Sequence, residues 1–295
     1  MSATVFSCLN CGGDRSRTFY EGCPDYYLGK PFRVDYVKCD RCGLVQQSPI
    51  PSDVSVFYEA YPVHREKSPL HNLARRLIMS ASYADASAFP EGAVVLDYGC
   101  GDGWYLDSLR GRGFTLLGFE PNAEHSESLS ARLDLPVFGD AGALVEQYAG
   151  GVDIVTMHFV LEHVTDLHST FADVAKLLKP GGRFRFVVPN IDSWEARVFR
   201  KKWHGLDPPR HISFPDRSVA EGLAKQYGMV MVEQRPVPFP NGIAGSIPVI
   251  LTGRFVYPLF LASLPLGVLL SRLAPAGCTA FSAVKDPVPG DAHRQ

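Results

Sequence analysis

From residue 92 onward, short apolar runs alternate with segments whose apolar residues fall at helical spacing. AVVLDY (93–98), TLLGFE (115–120), LPVF (135–138), VDIVTM (152–157) and RFRFVVP (183–189) read as strands. Helices are expected between them, near 103–111, 122–132, 141–149 and 165–179. Continuous apolar strands separated by helices of about a dozen residues specify an α/β fold, with a doubly wound, mostly parallel sheet covered on both faces. The turn Pro180-Gly181-Gly182 stops the helix ending LLK, and a helix around 215–227 follows. Strands MVMVEQR (229–235) and CTAFSAV (278–284) complete the series.

Upstream the pattern changes. Residues 1–50 carry turn residues and short strand-like runs such as FRVDYVKC, which read as a small β-rich module. Residues 51–91 form a connector with an aromatic cluster (Phe57, Tyr58, Tyr61) and a helix-like stretch, LHNLARRLIMSASYADASAF. The expected organisation is therefore 1–50, the connector 51–91, a large domain over 92–285, and a frayed tail over 286–295.

The turn after the first long-domain strand, LDYGCGDG, places Gly99, Gly101 and Gly103 at every second position. At the carboxyl end of such a strand the strand-to-helix turn is the usual ligand site, and glycine lets backbone approach a ligand closely. A dinucleotide site favours G-x-G-x-x-G with a pyrophosphate on the helix N-terminus. Here the third glycine comes one residue early, and Asp97 and Asp102 bring negative charge close. Two carboxylates would repel a pyrophosphate and attract a sulfonium with its α-ammonium group. The charge pattern points to S-adenosylmethionine.

LDYGCGDG resembles motif I of class I S-adenosylmethionine-dependent methyltransferases, and the resemblance continues over about 92–235. It implies a Rossmann-like sheet of seven strands, the seventh antiparallel and inserted between the fifth and sixth, with CTAFSAV as the candidate. It further implies that Asp97, Gly99, Gly101 and Gly103 surround the cofactor. Glu120 would hold the ribose hydroxyls and Asp140 the adenine amino group. Met157, His158 and Phe159, in DIVTMHFVLEHV (153–164), would flank the methionine moiety.

Four of the seven cysteines form two pairs, Cys8-x2-Cys11 and Cys39-x2-Cys42, separated by 27 residues. Zinc takes four soft ligands in a tetrahedron, and each CxxC turn supplies two thiolates, so a small zinc ribbon with a structural Zn2+ is expected. CLNCGG…CDRCGLVQQSPIP…FYEAYP resembles a bacterial group of methyltransferases with such an N-terminal ribbon. The group includes sugar C-methyltransferases and enzymes of polysaccharide and natural-product clusters. In the sugar enzymes a further C-terminal domain follows, and its absence here counts against a nucleotide-sugar acceptor.

A nucleophile that carries a proton must lose it, and histidine suits that work near neutral pH. Of nine histidines, His71, His125, His168 and His293 are expected on solvated surface. His211 is the leading candidate. Its segment, WHGLDPPRHISFPDRSVAEGLAKQYG, resembles the Glu-His-containing segment of the ribbon-bearing sugar C-methyltransferases, with Arg210 at the glutamate position. That arginine is expected to favour neutral imidazole and to offer a grip on an anionic substrate. His158 is the second catalytic candidate, and Glu162 and His163 lie beside it in sequence.

The stretch 243–275 is apolar, with only Arg254 and Arg272 charged and 17 residues between them. An unbroken helix between the two would span about 27 Å, marginal for a bilayer, and Pro258 and Pro265 interrupt it. CTAFSAV must also return to the sheet, which a single crossing forbids. A helical insertion is expected, as a lid over an apolar pocket, as an in-plane membrane contact, or packed on the domain.

Composition changes this picture little. The 295 residues are 46% hydrophobic with net charge −2, enough for a sizeable core and without a basic field for nucleic acid. The N-terminus lacks a secretory pattern, which places the chain in the cytoplasm, with peripheral membrane contact through 243–275 as an option. The expected activity is methyl transfer to oxygen or carbon of a small or lipid-linked acceptor. An RNA methyltransferase is the first alternative, disfavoured by the acidic balance and by MHFVLEH. A non-catalytic scaffold is the second, disfavoured by the intact glycine turn and Glu120.

Overall fold

The computed structural model describes residues 6–51, 53–58, 72, 73, 75, 78, 83 and 85–286. Tyr61, His71, His293 and the tail from 287 lie outside the described residues.

The predicted strands appear as β4 (Val94–Tyr98), β5 (Thr115–Phe119), β6 (Val137–Phe138), β7 (Val152–His158), β8 (Leu178–Pro189), β10 (Met229–Val237) and β11 (Cys278–Lys285). They form one seven-stranded sheet in the order β10-β11-β8-β7-β4-β5-β6. The pairs β4–β5, β4–β7, β5–β6 and β7–β8 are parallel. β11 runs antiparallel between β8 and β10, so CTAFSAV is the inserted strand. Helices α1 (Trp104–Leu109), α2 (Ala123–Leu133), α3 (Ala141–Tyr148), α4 (Leu167–Leu177) and α6 (Arg217–Gln226) alternate with these strands, and α5 (Trp194–Phe199) follows β8. Asn122, Asp140, Asp166 and Asp216 cap four of the helices, each accepting a backbone N–H three residues on.

One local expectation is altered. The helix before Pro180 ends at Leu177, and Pro180-Gly181-Gly182 lies inside β8 instead of connecting a helix to it. The register shifts between the pairs Val152–Leu178 and Ile154–Arg183, so the glycines form an irregularity within the strand.

The N-terminal module is a second sheet of β1 (Ser16–Pro24), β2 (Arg33–Cys39) and β3 (Val45–Gln47), extended by β9 (Ser213–Phe214) from the large domain. Tyr36 and Val45 share a core with Trp203, Leu206, Phe214 and Phe239. Buried polar contacts tighten the junction. Tyr36 Oη donates to the carbonyl of His211 (2.9 Å), and Gln47 Nε2 donates to those of Pro209 (2.7 Å) and His211 (2.8 Å). The small sheet thus shapes the loop between β8 and α6 from behind.

The apolar insertion is two helices in contact, α7 (Pro240–Thr252) and α8 (Tyr257–Leu273). No helix among the described residues is long and apolar enough to cross a membrane.

Candidate functional site

The glycine turn sits at the carboxyl end of β4, where the sheet's parallel part opens. Gly99, Gly101 and Gly103 have φ of +83°, +54° and +71°, a region that glycine enters without strain. Two of them also serve packing. A Cβ on Gly99 would lie 2.6 Å from the Val160 methyls, and one on Gly103 would lie 2.6 Å from Leu133. The amides of Gly99 and Cys100 donate to the Phe119 carbonyl, and that of Gly101 donates to Glu120 Oε2 (3.1 Å). The turn is thereby stitched to the end of β5.

Two carboxylates flank it, both buried: Asp97 on β4 and Glu120 just past β5. Thr156 Oγ1 donates to Asp97 Oδ1 (2.7 Å), and His158 Nδ1 lies 3.4 Å from the same oxygen. His158 is wedged between the rings of Tyr83 (4.6 Å) and Tyr105 (4.5 Å). Met157, its neighbour on the strand, points to the opposite face and is fully buried in the main core. Phe159 leaves the strand in the left-handed region (φ +58°) and stacks on Phe239 at 5.9 Å. A bulky residue held there stores strain, a mark of functional turns. Asp140 is exposed and caps α3 through the amide of Ala143 (2.8 Å). Asp102 pairs with Arg75 (2.7 Å), whose guanidinium lies over the Trp104 ring.

A second cluster forms where the turn after β7 meets the loop before β9. Glu162 is fully buried, and neither carboxylate oxygen has a hydrogen-bond partner. His211 is nearly buried, with Nε2 4.0 Å from Glu162 Oε1. Its Nδ1 lies 2.8 Å from the Gly205 carbonyl, and His163 Nδ1 lies 3.0 Å from that of Arg210. A carbonyl only accepts, so on His211 Nδ1 carries the proton and Nε2 is bare. Tyr58 Oη also reaches His163 Nδ1 (2.8 Å), and the two imidazoles meet edge to face at 4.6 Å. Burial pushes the Glu162 carboxyl up to about 8. Burial, with His163 alongside, pushes His211 down to about 3.

Arg210 does not face a substrate. It is fully buried, bidentate to Asp25 (3.0 and 3.1 Å) and to Asp207 (2.7 and 2.9 Å). Burial works against ionisation of Asp207, but the guanidinium overrides it and holds the carboxyl down at about 2. Two other histidines expected on solvated surface are also engaged. His125 Nε2 lies 2.8 Å from the Gly101 carbonyl, and His168 bridges Asn10 O (2.7 Å) and Tyr227 Oη (3.1 Å). The contact between Glu162 and His211 is not readable from sequence, since it is made only by the fold.

Two groups among the described residues bring enough ligand atoms together to hold an ion. One is Glu162, His163 and His211. The other is Cys8, Cys11, Cys39 and Cys42, with Sγ–Sγ distances of 3.5 Å (Cys8–Cys42) and 3.7 Å (Cys11–Cys39). Four sulfurs bound at about 2.3 Å in a tetrahedron lie about 3.8 Å apart, so the cysteine set fits zinc. Gln46 braces the first knuckle, accepting from Leu9 N (2.8 Å) and donating to Ser7 O (3.0 Å).

Comparison with known proteins agrees with this arrangement. Residues 70–234, more than half of the chain, match a family model described as a methyltransferase domain. A ubiquinone biosynthesis O-methyltransferase of Burkholderia pseudomallei is 33% identical over 187 residues, 59% of this chain and 79% of that protein. One from Erwinia tasmaniensis is 33% identical over 136 residues, 43% of this chain and 54% of that protein. The chain thus spans about half the length of the first curated relatives it matches. Among solved structures, a protein from Haloferax volcanii in complex with the Trm112 methyltransferase activator shares the fold. Its TM-score is 0.52 at 19% identity, covering 74% of this chain and 95% of that one.

Proposed function

This chain belongs to the methyltransferase-domain family, and from that premise we propose that it moves the methyl group of S-adenosylmethionine to a hydroxyl oxygen of a small metabolite. One observation carries the cofactor assignment: the buried carboxylates Asp97 and Glu120 close adjacent parallel strands on either side of the glycine turn. A carboxylate at Asp97, beside the turn, suits a ligand with a sulfonium and an ammonium group and would repel a pyrophosphate, while one at Glu120 suits ribose hydroxyls. Glu120 would hold the ribose hydroxyls and Asp140 the adenine amino group. Asp97, with His158 and Phe159, would border the methionine end, and Met157 would contribute backbone alone. When bound, S-adenosylmethionine supplies the electrophilic methyl carbon.

The chain's own residues supply position and a proton acceptor. The Gly205 carbonyl fixes the His211 tautomer, so bare Nε2 is the atom that receives a proton. With Glu162 ionised, a proton arriving at Nε2 is held beside a carboxylate. With Glu162 protonated, the same transfer would leave a buried imidazolium without a counter-charge. The competent base is therefore the deprotonated pair, and Arg210 is a positioning residue that anchors its loop.

Oxygen as acceptor is supported by relatives named O-methyltransferases. Carbon is the second reading, favoured by the Glu162–His211 contact, which pairs the same residue types as the Glu-His-containing segment that the His211 region resembles in the sugar C-methyltransferases. In the N-terminal module the four cysteines would hold a structural zinc. The test is to incubate the protein with methyl-labelled S-adenosylmethionine and a panel of catechols, phenols and β-dicarbonyl compounds. A methyl ether product supports the first reading, and a carbon-methylated product replaces it with the second. No labelled product from any acceptor overturns both.

A further inference from the structure

Apolar side chains on the outer face of α7 and α8 are exposed where a helix packed on a domain normally shows polar ones. Leu261, Leu266, Leu269 and Leu273 lie on the outward half of α8, opposite the buried Gly267 and Ser271, with Tyr257 exposed at its start, and Leu251 adds to them near the end of α7. Leu251 is 68% exposed and Leu273 73%. Of the eleven large hydrophobic residues exposed among the described ones, seven lie on these two helices. The surface is concentrated there, not scattered.

Its charge is one-sided. From Pro240 to Gly277 there is no Asp or Glu, and the two charged residues, Arg254 and Arg272, are both exposed. Behind them, α5 and the turn Arg200–Lys202 both pack on α7, adding Arg197, Arg200, Lys201 and Lys202. Trp194 Nε1 donates to the Ala274 carbonyl (3.0 Å), tying α5 to the end of α8. A second copy of this chain, docking face on face, would set arginine against arginine, and neither helix carries an Asp or Glu to meet them. A layer of anionic headgroups over acyl chains complements both the charge and the apolar stripe.

We propose that the α7–α8 pair docks in the plane of an anionic lipid bilayer, burying its leucine stripe and resting its arginines among the headgroups. The helices do not cross, because β11 returns directly to the central sheet beside β8 and β10. Docking also sets the candidate site against the lipid phase. α7 starts immediately after Phe239, which stacks on Phe159 beside the glycine turn. An acceptor dissolved in the bilayer would reach the site along that edge.

The test is co-sedimentation of the full chain with sonicated vesicles of phosphatidylcholine alone and of phosphatidylcholine with 30% phosphatidylglycerol. Alongside run L261D/L269D and R254E/R272E, with melting temperature and S-adenosylmethionine binding measured on each to verify the fold. Binding to the anionic vesicles that drops more than tenfold in the leucine variant supports the proposal. In R254E/R272E a fall of at least about fivefold per arginine reversed, weakening with salt, is expected. Equal binding by wild type and both folded variants, or no binding to either vesicle, overturns it. A wild-type dimer in solution that the leucine variant dissociates, without vesicle binding, would assign this face to a second copy instead. None of these outcomes depends on methyl transfer.

Discussion

His211 Nε2 lies 4.0 Å from the Oε1 of Glu162, a carboxylate that is fully buried and has no hydrogen-bond partner on either oxygen. The two come from different parts of the chain, one from the turn after β7 and the other from the loop that feeds β9. Ile212 N donates to the Glu162 carbonyl at 2.6 Å, which locks the two loops together at that point. As the proposed base, this pair would be uncharged at neutral pH and would gain its competence on losing a proton.

Activity is therefore expected to rise with pH through an apparent value near 8, set by the Glu162 carboxyl, rather than through the ordinary histidine value near 6.5. Glu162→Gln should abolish this limb while leaving cofactor affinity intact. A kcat/KM profile on wild type and variant reads the effect. A limb near 6.5 that survives in the variant would assign the titration elsewhere.

The same carboxyl makes stability depend on pH, and the sign is fixed by the direction of its shift. A folded-state value raised above the ordinary 4.5 means that the native state holds the proton more tightly than the unfolded chain. The contribution is full below pH 4.5 and is lost as pH rises through about 8. Relative to Glu162→Gln, which cannot titrate, the wild type should lose melting temperature steadily between pH 5 and 8.5. Parallel curves for the two proteins would remove this group from the account.

His211→Gln should lower kcat by roughly 10²- to 10⁴-fold, the usual range for loss of a general base, with little change in cofactor affinity. His158→Gln should act differently. Its ring sits against Asp97 between two tyrosines, so the loss should appear in cofactor binding. Reversal of the two phenotypes would exchange their roles.

Arg210→Met removes the guanidinium that pairs with two buried carboxylates, Asp25 and Asp207, and should cost about 3–5 kcal/mol in chemical denaturation. Adding Asp25→Asn and Asp207→Asn should recover part of it, since no uncompensated buried charge then remains. A loss below about 1 kcal/mol would contradict the buried network.

Zinc content offers a check on the N-terminal module. One equivalent per chain is expected, lost in a Cys11→Ser/Cys39→Ser variant. Tyr36 and Gln47 of that module hold the His211 carbonyl, so loss of the metal should depress kcat as well as melting temperature. Unaltered turnover in metal-free protein would separate the ribbon from the site.

Most of the fold was legible because it is written locally. Apolar runs mark the seven strands, apolar residues at helical spacing mark the helices between them, and three glycines mark the turn. What escaped the sequence is tertiary. Arg210 looked free to grip a substrate, but Asp25, 185 positions away, claims its guanidinium. His125 and His168 sit on helices with polar neighbours, yet each reaches a backbone carbonyl on another element. Glu162 lies in a short apolar turn where nothing local distinguishes it from a capping acid. β9 is a two-residue strand, too short to carry a period, and it adds a piece of the large domain to the edge of the small sheet. At Gly99 the missing Cβ also makes room for Val160, a packing reason that no local pattern shows.

Calorimetric titration of the purified, zinc-loaded protein with S-adenosylmethionine tests the central claim most directly, with NAD as control and Glu120→Ala alongside. The account predicts one-to-one micromolar binding, no response to NAD, and loss of at least tenfold in affinity in the variant. Binding of NAD, or S-adenosylmethionine binding untouched by removal of Glu120, would contradict it.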